Sequence, residues 1–473
     1  MNRLFISAAH KSSGKTTLSI GLCAALTRRH LKVQPFKKGP DYIDPMWLGL
    51  ASGRPCHNLD FFIQGHEEIL NTFATQSQTA DIALIEGNKG LYDGLDLDGS
   101  NSNAALAKLL TAPVILVIDA RGMTRGVAPL ILGYQAFDRD IHIAGVILNQ
   151  LGGARHERKL RAVIEHYTDV PVIGAVHRDD RLAIVERHLG LMPSNEASGA
   201  RTKIDDIATA IADQVDLDRL GAIAAAAPAP KVPAPKPLAP RRGGSPDQTP
   251  VKIAIARDAA FAFYYPADLE ALRRHGAELV PFDTLNDAQL PEADALFIGG
   301  GFPEVHMQAL EANHSLRGSI QRAIEDGLPV YAECGGLMYL SRSLSWQGRR
   351  CEMVGAIAAD TVMHDRPQGR GYVKLHETGK LPWPIIPGTD TPLEIRAHEF
   401  HYSSLENVAS NLEYAYEVTR GTGIDGRHDG ILYRNVVACY THRRDTTDNH
   451  WTARFVEFIR KQRAAHRPAQ VAG

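Results

Sequence analysis

The amino-acid sequence predicts an α/β protein of two doubly wound domains, and three observations carry that prediction. Near the N-terminus a short strand, Leu4-Phe5-Ile6, feeds the small-residue loop Ser7-Ala8-Ala9-His10-Lys11-Ser12-Ser13-Gly14-Lys15-Thr16-Thr17, after which Leu18, Leu22, Ala25 and Leu26 recur at helical spacing up to Arg28. In the second half strand-like and helix-like runs alternate again, and one strand breaks sharply at Cys334 before Gly335-Gly336. Between the halves, 222–250 turns to Ala, Pro, Lys and Arg, a mixture that cannot bury enough surface to offset ordering. The expected organisation is a domain over 1–221, a linker over 222–250 and a domain over 251–473.

At 473 residues, with 44% hydrophobic and 22% charged residues, the chain has an ordinary soluble composition with room for substantial cores. A formal net charge of −2 leaves no general excess of basic residues, so neither nucleic acid nor an acidic membrane surface is implied as a partner. The five cysteines, at 23, 56, 334, 351 and 439, show no metal-type spacing and fit reduced thiols in a cytoplasm. No apolar run approaches the roughly 20 residues of a membrane span, and the chain enters a strand directly instead of a signal peptide.

A strand, a small-residue loop ending in Gly-Lys-Thr and a helix form a P-loop, in which backbone N–H groups and a helix N-terminus face a polyphosphate. Lys15 is expected to neutralise the β- and γ-phosphates of ATP and Thr16 to ligate Mg2+, with Ser12, Ser13, Gly14 and Thr17 completing the cradle. Ala9 stands where the first glycine of the motif is usual. Lys11 also makes the Lys-x-x-Gly-Lys-Thr pattern of dimeric partition-type ATPases, whose extra lysine touches nucleotide held by the partner subunit, so a homodimer stays open.

Next, Lys32-Val33-Gln34-Pro35-Phe36-Lys37-Lys38-Gly39-Pro40-Asp41-Tyr42-Ile43-Asp44-Pro45 reads as a short strand running into a rigid, polar loop. Asp41 and Asp44 fall near the carboxyl end of a strand beside the P-loop strand, where open α/β sheets bind ligands, with a solvated acidic turn as the alternative. The run 81–87 reads as a buried parallel strand ending in Glu86, placed to help hold Mg2+ opposite Thr16, and Asp93 follows on a glycine loop. Strands over 113–119, 143–149 and 171–176 alternate with helices over 103–110 and 156–166, and a closing helix is expected over 204–217. Asn149 sits where P-loop proteins commonly place a base-recognising amide.

In the second half, 252–256 opens another α/β unit, with a helix over 266–275 and a strand ending at Pro281. The run 294–298 breaks into Gly299-Gly300-Gly301, whose amides are unobstructed, and 329–340 reads as strand, sharp turn and helix with Cys334 at the turn. That is a nucleophile elbow carrying sulfur, where the helix terminus favours a thiolate. The N–H of Gly335 with that of Gly300 or Gly301 would form an oxyanion hole. Among downstream histidines, His442 is favoured as the base because it follows an apolar strand, while His398 and His401 read as structural or substrate-contacting. Cys23, Cys56, Cys351 and Cys439 read as inert.

Together these segments resemble the cobyrinic acid a,c-diamide synthase family (CbiA and CobB). The resemblance runs through 33–37, 39–45, Asn58-Leu59-Asp60, Glu86-Gly87, Gly90-Leu91, Asp93-Gly94, Arg187-His188-Leu189-Gly190-Leu191, 299–304, 332–340 and 398–403. It implies a dethiobiotin-synthetase-like ATPase domain followed by a class I glutamine amidotransferase domain of the triad-lacking type. The implied reaction amidates two acetate side chains of a tetrapyrrole-derived macrocycle, with ATP forming an acyl phosphate and glutamine supplying ammonia. Carried over, Cys334 forms the glutamyl thioester and His442 raises its nucleophilicity, Lys15, Thr16, Asp44 and Glu86 serve nucleotide and metal, and Asp41, Asp60 and Asp93 line the amidation site. Ala9, Lys38, Asn88-Lys89 and Arg444 depart from the usual pattern, and several of these look similar to the DsrN branch, which is assigned sirohaem amidation. A partition-type ATPase or regulator with an idle amidotransferase domain is the alternative from a different class.

Overall fold

The computed structural model describes residues 1–187, 190–229, 249–385 and 393–466, in two compact units, Met1–Lys236 and Pro237–Gly473. Most of the expected linker, and His188 and Leu189, lie outside the described residues.

In the first unit seven parallel strands make one sheet among the described residues: β1 (Asn2–Ala8), β2 (Val33–Lys38), β3 (His57–Leu59), β4 (Ile82–Glu86), β5 (Val114–Asp119), β6 (Ile143–Leu151) and β7 (Val172–His177). Their order is β3-β2-β4-β1-β5-β6-β7. Leu4, Ile6 and Ala8 of β1 feed one buried cluster and Phe5 the other, so both faces are covered and the strands read as continuous apolar runs. On one face α1 (Lys15–Arg28) lies against the helix Ala200–Gln214, and a Cβ at Gly21 would meet Ile211 Cγ1 at 2.4 Å, so glycine permits the approach. Helices His66–Ser77, Val127–Phe137 and Ala154–Tyr167 cover the other face through Phe73, Ile131 and Leu160.

The closing helix differs from the expectation over 204–217. It ends at Gln214, because Val215 turns extended and bridges Gly174, and Asp216 then caps a separate helix, Leu217–Ala225, by accepting from the Arg219 N–H. That helix takes up the first residues assigned to the linker.

The second unit carries a nine-stranded sheet among the described residues. Ala277–Phe282, Val251–Ala256, Ala295–Ile298, Val330–Glu333 and Val436–Cys439 run parallel in that order, and His428–Tyr433, Glu413–Arg420, Gly369–Glu377 and Glu394–His401 continue it antiparallel. Ala254 and Ala256 face one core, which holds Leu316, Ile320 and Ile324 of the helix His314–Glu325. Val251, Ile253 and Ile255 face the other, which holds Trp451, Phe455 and Ile459 of the helix Trp451–His466. The mixed sheet places Cys334 at the carboxyl end of a strand flanked by two parallel neighbours.

Candidate functional site

In the first unit β1 sits between β4 and β5, so the loop leaving β1 opens at the carboxyl edge of the sheet. Gly14 takes the left-handed conformation (φ 83°) and caps α1, and a Cβ there would meet Asn149 Nδ2 at 2.2 Å. Asn149 donates from Nδ2 to the Ser13 carbonyl at 2.9 Å and so braces the loop. Ser13 turns inward, donating from Oγ to the His10 carbonyl at 2.8 Å, whereas Lys11 and Ser12 are exposed. The Tyr134 hydroxyl donates to the Ala9 carbonyl and Leu91 N–H to that of Ala8, fixing the bend that lacks its usual glycine.

Lys15, Thr16, Asp44 and Glu86 come together as the sequence suggests. The Thr16 hydroxyl lies 2.8 Å from Glu86 Oε1 and 3.2 Å from Asp44 Oδ2. The residue missed by sequence reasoning is Lys37, whose Nζ is 2.7 Å from Glu86 Oε1 and 2.5 Å from Asp44 Oδ2. Burial disfavours the Lys37 ammonium, yet Asp44, Glu86 and Asp41 outweigh it and hold its pKa well above the ordinary value. Lys15 has weaker compensation, and burial lowers it to about 8. For Asp44, Lys37 overcomes burial and keeps the carboxyl low. Burial and the adjacent Asp44 push Asp41 up to about 8.

Thr16, Asp44 and Glu86 offer hard oxygen donors, and Glu86 Oε2 is buried with no hydrogen-bond partner. Those residues fit Mg2+, which commonly takes one or two carboxylates together with substrate phosphates and water. No preformed cluster of three or more His, Cys, Asp or Glu side chains able to hold a metal occurs among the described residues.

The three aspartates expected to line the amidation site make structural contacts. Asp41 Oδ1 accepts from the N–H groups of Ile43 and Asp44 in the first turn of α2 (Ile43–Ser52), while its Oδ2 lies 3.8 Å from Lys37 Nζ. Asp60, buried, accepts from Phe62 and Ile63 N–H and pins the turn after β3. Asp93, exposed, accepts from Gly90 N–H at 2.8 Å. A second missed residue, Asn103, holds the same loop by receiving Asn88 N–H on Oδ1 and donating to the Asn88 and Gly90 carbonyls.

In the second unit Cys334 adopts φ 49° and ψ −101°, a strained elbow that costs roughly 1–3 kcal/mol. Its N–H donates to the Cys439 carbonyl at 2.7 Å. Close packing requires the glycines here. A Cβ at Gly336 would meet the Ile298 carbonyl oxygen at 2.3 Å, and one at Gly335 would lie 3.0 Å from the Gly301 amide nitrogen. Gly301 thus stands beside the elbow, whereas Gly300 abuts the histidine: a Cβ there would come within 2.6 Å of His442 Cε1.

His442 hydrogen-bonds the Cys334 side chain. Asp429, fully buried, positions the segment by accepting from Tyr440 and Thr441 N–H at 2.9 and 3.0 Å. His442 then exchanges both backbone hydrogen bonds with His398, whose ring stacks on it at 5.0 Å. Burial, with the charges of His442 and Arg444, pushes the His398 pKa well below the ordinary value, so this ring stays neutral. His401 stacks on Tyr440 and contacts the Ser403 carbonyl through Nδ1. Glu333 Oε2 lies 3.3 Å from His442 Nδ1. Burial raises the thiols of Cys23, Cys56, Cys351 and Cys439.

Residues 252–449 match the CobB/CobQ-like glutamine amidotransferase domain, and 5–191 match the CobQ/CobB/MinD/ParA nucleotide binding domain. The chain is therefore a glutamine-hydrolysing amidoligase that joins a nucleotide-binding unit to an amidotransferase unit, and its reaction is a glutamine-dependent amidation. It is 48% identical to the cobyrinate a,c-diamide synthase of Magnetococcus marinus over 98% of this chain and 99% of that one. The enzymes of the same name from Methanosarcina acetivorans and Archaeoglobus fulgidus are each 41% identical, over 98% of this chain and 97% and 98% of theirs. The chain belongs to the cobyrinate a,c-diamide synthase family. No helix among the described residues is long and apolar enough to cross a membrane.

Proposed function

We propose that this protein uses ATP and glutamine to amidate the a and c acetate carboxylates of a cobyrinic acid-type macrocycle. The observation that carries the reading is a Cys334–His442 pair on a strained elbow in the same chain as a buried P-loop Lys15. The macrocycle is inferred from the near full-length relatives named for it.

A carboxylate is a poor electrophile, and ammonia is mostly protonated in water, so ligation needs both an activated acid and a fresh nitrogen source. A substrate acetate oxygen attacks the γ-phosphorus of ATP, ADP leaves, and ammonia then displaces phosphate from the acyl carbon. Lys15 and the amides of the 12–17 loop carry the phosphate charge, and Thr16, Asp44 and Glu86 would hold Mg2+, which supplies further charge neutralisation when bound. Cys334 Sγ attacks the glutamine amide carbon and ammonia leaves with a proton from His442. Water then releases glutamate from the thioester. The Gly335 and Gly301 amides are proposed as the oxyanion hole. Lys11 is exposed, as an action in trans within a homodimer would need.

The same chemistry on sirohydrochlorin or sirohaem is the second reading, favoured by Lys38 and by Asn88-Lys89. Lys38 is buried at the end of β2 and lowered to about 8 by that burial. Incubation with ATP, Mg2+ and glutamine over cobyrinic acid, sirohydrochlorin and sirohaem separates the two by mass. Two added amides on cobyrinic acid is the expected outcome, and amides on a sirohaem-type ring alone would transfer the assignment.

Nucleotide binding should also depend on pH. Below about pH 8 Lys15 is charged in the unliganded protein and binding gains from it. As pH rises through that value the charge is lost. The ATP Kd is therefore expected to rise by up to about tenfold per unit above pH 8. Calorimetric titrations across this range check it, and a flat Kd contradicts it.

A further inference from the structure

The geometry points to Glu333 as the positioning residue that orients the His442 imidazole toward Cys334, with Tyr331 and Arg443 holding Glu333 for that task. The inference rests on the reading of Cys334 and His442 as the glutaminase pair.

Glu333 ends the strand Val330–Glu333 and directly precedes the elbow, 3% exposed. Strand alternation puts Tyr331 on the same side of the sheet. The Tyr331 hydroxyl donates to Glu333 Oε1 at 2.5 Å, and the Arg443 backbone N–H donates to the same oxygen at 3.1 Å. Arg443 Nε donates in turn to the Tyr331 oxygen at 2.9 Å. With Oε1 held twice, Oε2 faces His442 Nδ1 at 3.3 Å, which leaves Nε2 as the ring nitrogen for the hydrogen bond to Cys334.

Arg443 cannot shift readily. It is 1% exposed, and its guanidinium lies over the rings of Tyr331, Trp383 and Tyr416 at 4.7 to 5.1 Å. Such a desolvated cation–π cage fixes its plane. Gly300 closes the opposite side of His442 at Cε1, so the ring has little rotational freedom. The result is a continuous buried chain from Arg443 through Tyr331 and Glu333 to His442 and Cys334. It performs the task of the acid in a nucleophile–histidine–acid triad, where that acid fixes the tautomer and stabilises the imidazolium.

The titratable and charged groups facing His442 are Cys334 and Glu333 from the elbow, His398 from the strand Glu394–His401, and Arg443 and Arg444 next along its own segment. Burial acts to lower the His442 pKa, and the hydrogen bonds to Cys334 and Glu333 overcome it and hold it at about 10.

The test uses the full chain, with glutamate release and ammonia-dependent amidation measured in parallel. Glu333→Gln is expected to lower kcat for glutamine hydrolysis by roughly 10²–10⁴-fold with a KM change within about threefold. It should also move the alkaline limb of the kcat profile to lower pH, because a group that raised the His442 pKa is gone. Glu333→Asp should recover at least about tenfold over Glu333→Gln. Tyr331→Phe, which keeps the ring, should shift the same limb with a smaller loss of kcat. Ammonia-dependent amidation should not change in any of the three.

Wild-type kcat and pH profile in Glu333→Gln would overturn the inference. If Glu333→Gln does not fold, an unchanged pH profile in Tyr331→Phe overturns it instead. Glutaminase activity surviving in Cys334→Ala would sink the underlying site assignment, a result distinguishable from either of these.

Discussion

Replacing Cys334 with alanine is expected to lower glutamine-dependent amidation by on the order of 10³-fold or more, while amidation with added ammonium salts stays within about twofold of wild type. The asymmetry follows from where the sulfur sits. Cys334 is held on a strained turn with its side chain against His442, and alanine at that position keeps the backbone hydrogen bond to the Cys439 carbonyl while removing the sole nucleophile of the pair. Burial makes the other four thiols poor substitutes. Glutamate release and amide formation measured separately check the outcome. Failure of the alanine variant with ammonia as well as with glutamine would show that Cys334 serves the ligation step itself.

Lys15→Ala should have the complementary effect. ADP formation and amidation are both expected to fall roughly 10²–10³-fold or more, whichever nitrogen source is present, on the scale of losing one preorganised positive group at a developing phosphate charge. The neighbouring Lys37 does not replace it, because its ammonium is already committed to Asp44 and Glu86 at 2.5 and 2.7 Å. Coupled ADP and amide assays read the loss. Normal amidation with ammonia in this variant would remove the P-loop from the reaction.

The parts of the fold that were legible in the sequence are those where local pattern and tertiary environment agree. β1, β4, β5 and β6 are buried on both faces and therefore read as unbroken apolar runs, and the Gly14-Lys15-Thr16 and Cys334-Gly335-Gly336 turns carry their own backbone demands. The residues that escaped depend on register or strand order. Nothing local marks Lys37 as a site residue until β2 is paired with β4, where it stands directly opposite Glu86. Glu333 becomes a partner of His442 only because Val330–Glu333 and Val436–Cys439, about a hundred residues apart, are neighbouring strands. The backbone work of Asp60 is likewise invisible in the sequence, where it reads only as a site carboxylate: its Oδ1 holds the N–H groups of Phe62 and Ile63.

The most direct measurement supplies glutamine labelled with ¹⁵N at the side-chain amide, together with ATP, Mg2+ and cobyrinic acid, and follows glutamate, ADP and the macrocycle by mass. Label in every new amide, with one ADP and one glutamate formed for each, is the expected result. ADP and glutamate formed without label in the macrocycle, or amide formed without ADP, would contradict a chain that frees nitrogen at Cys334 and installs it on an acid activated at the P-loop.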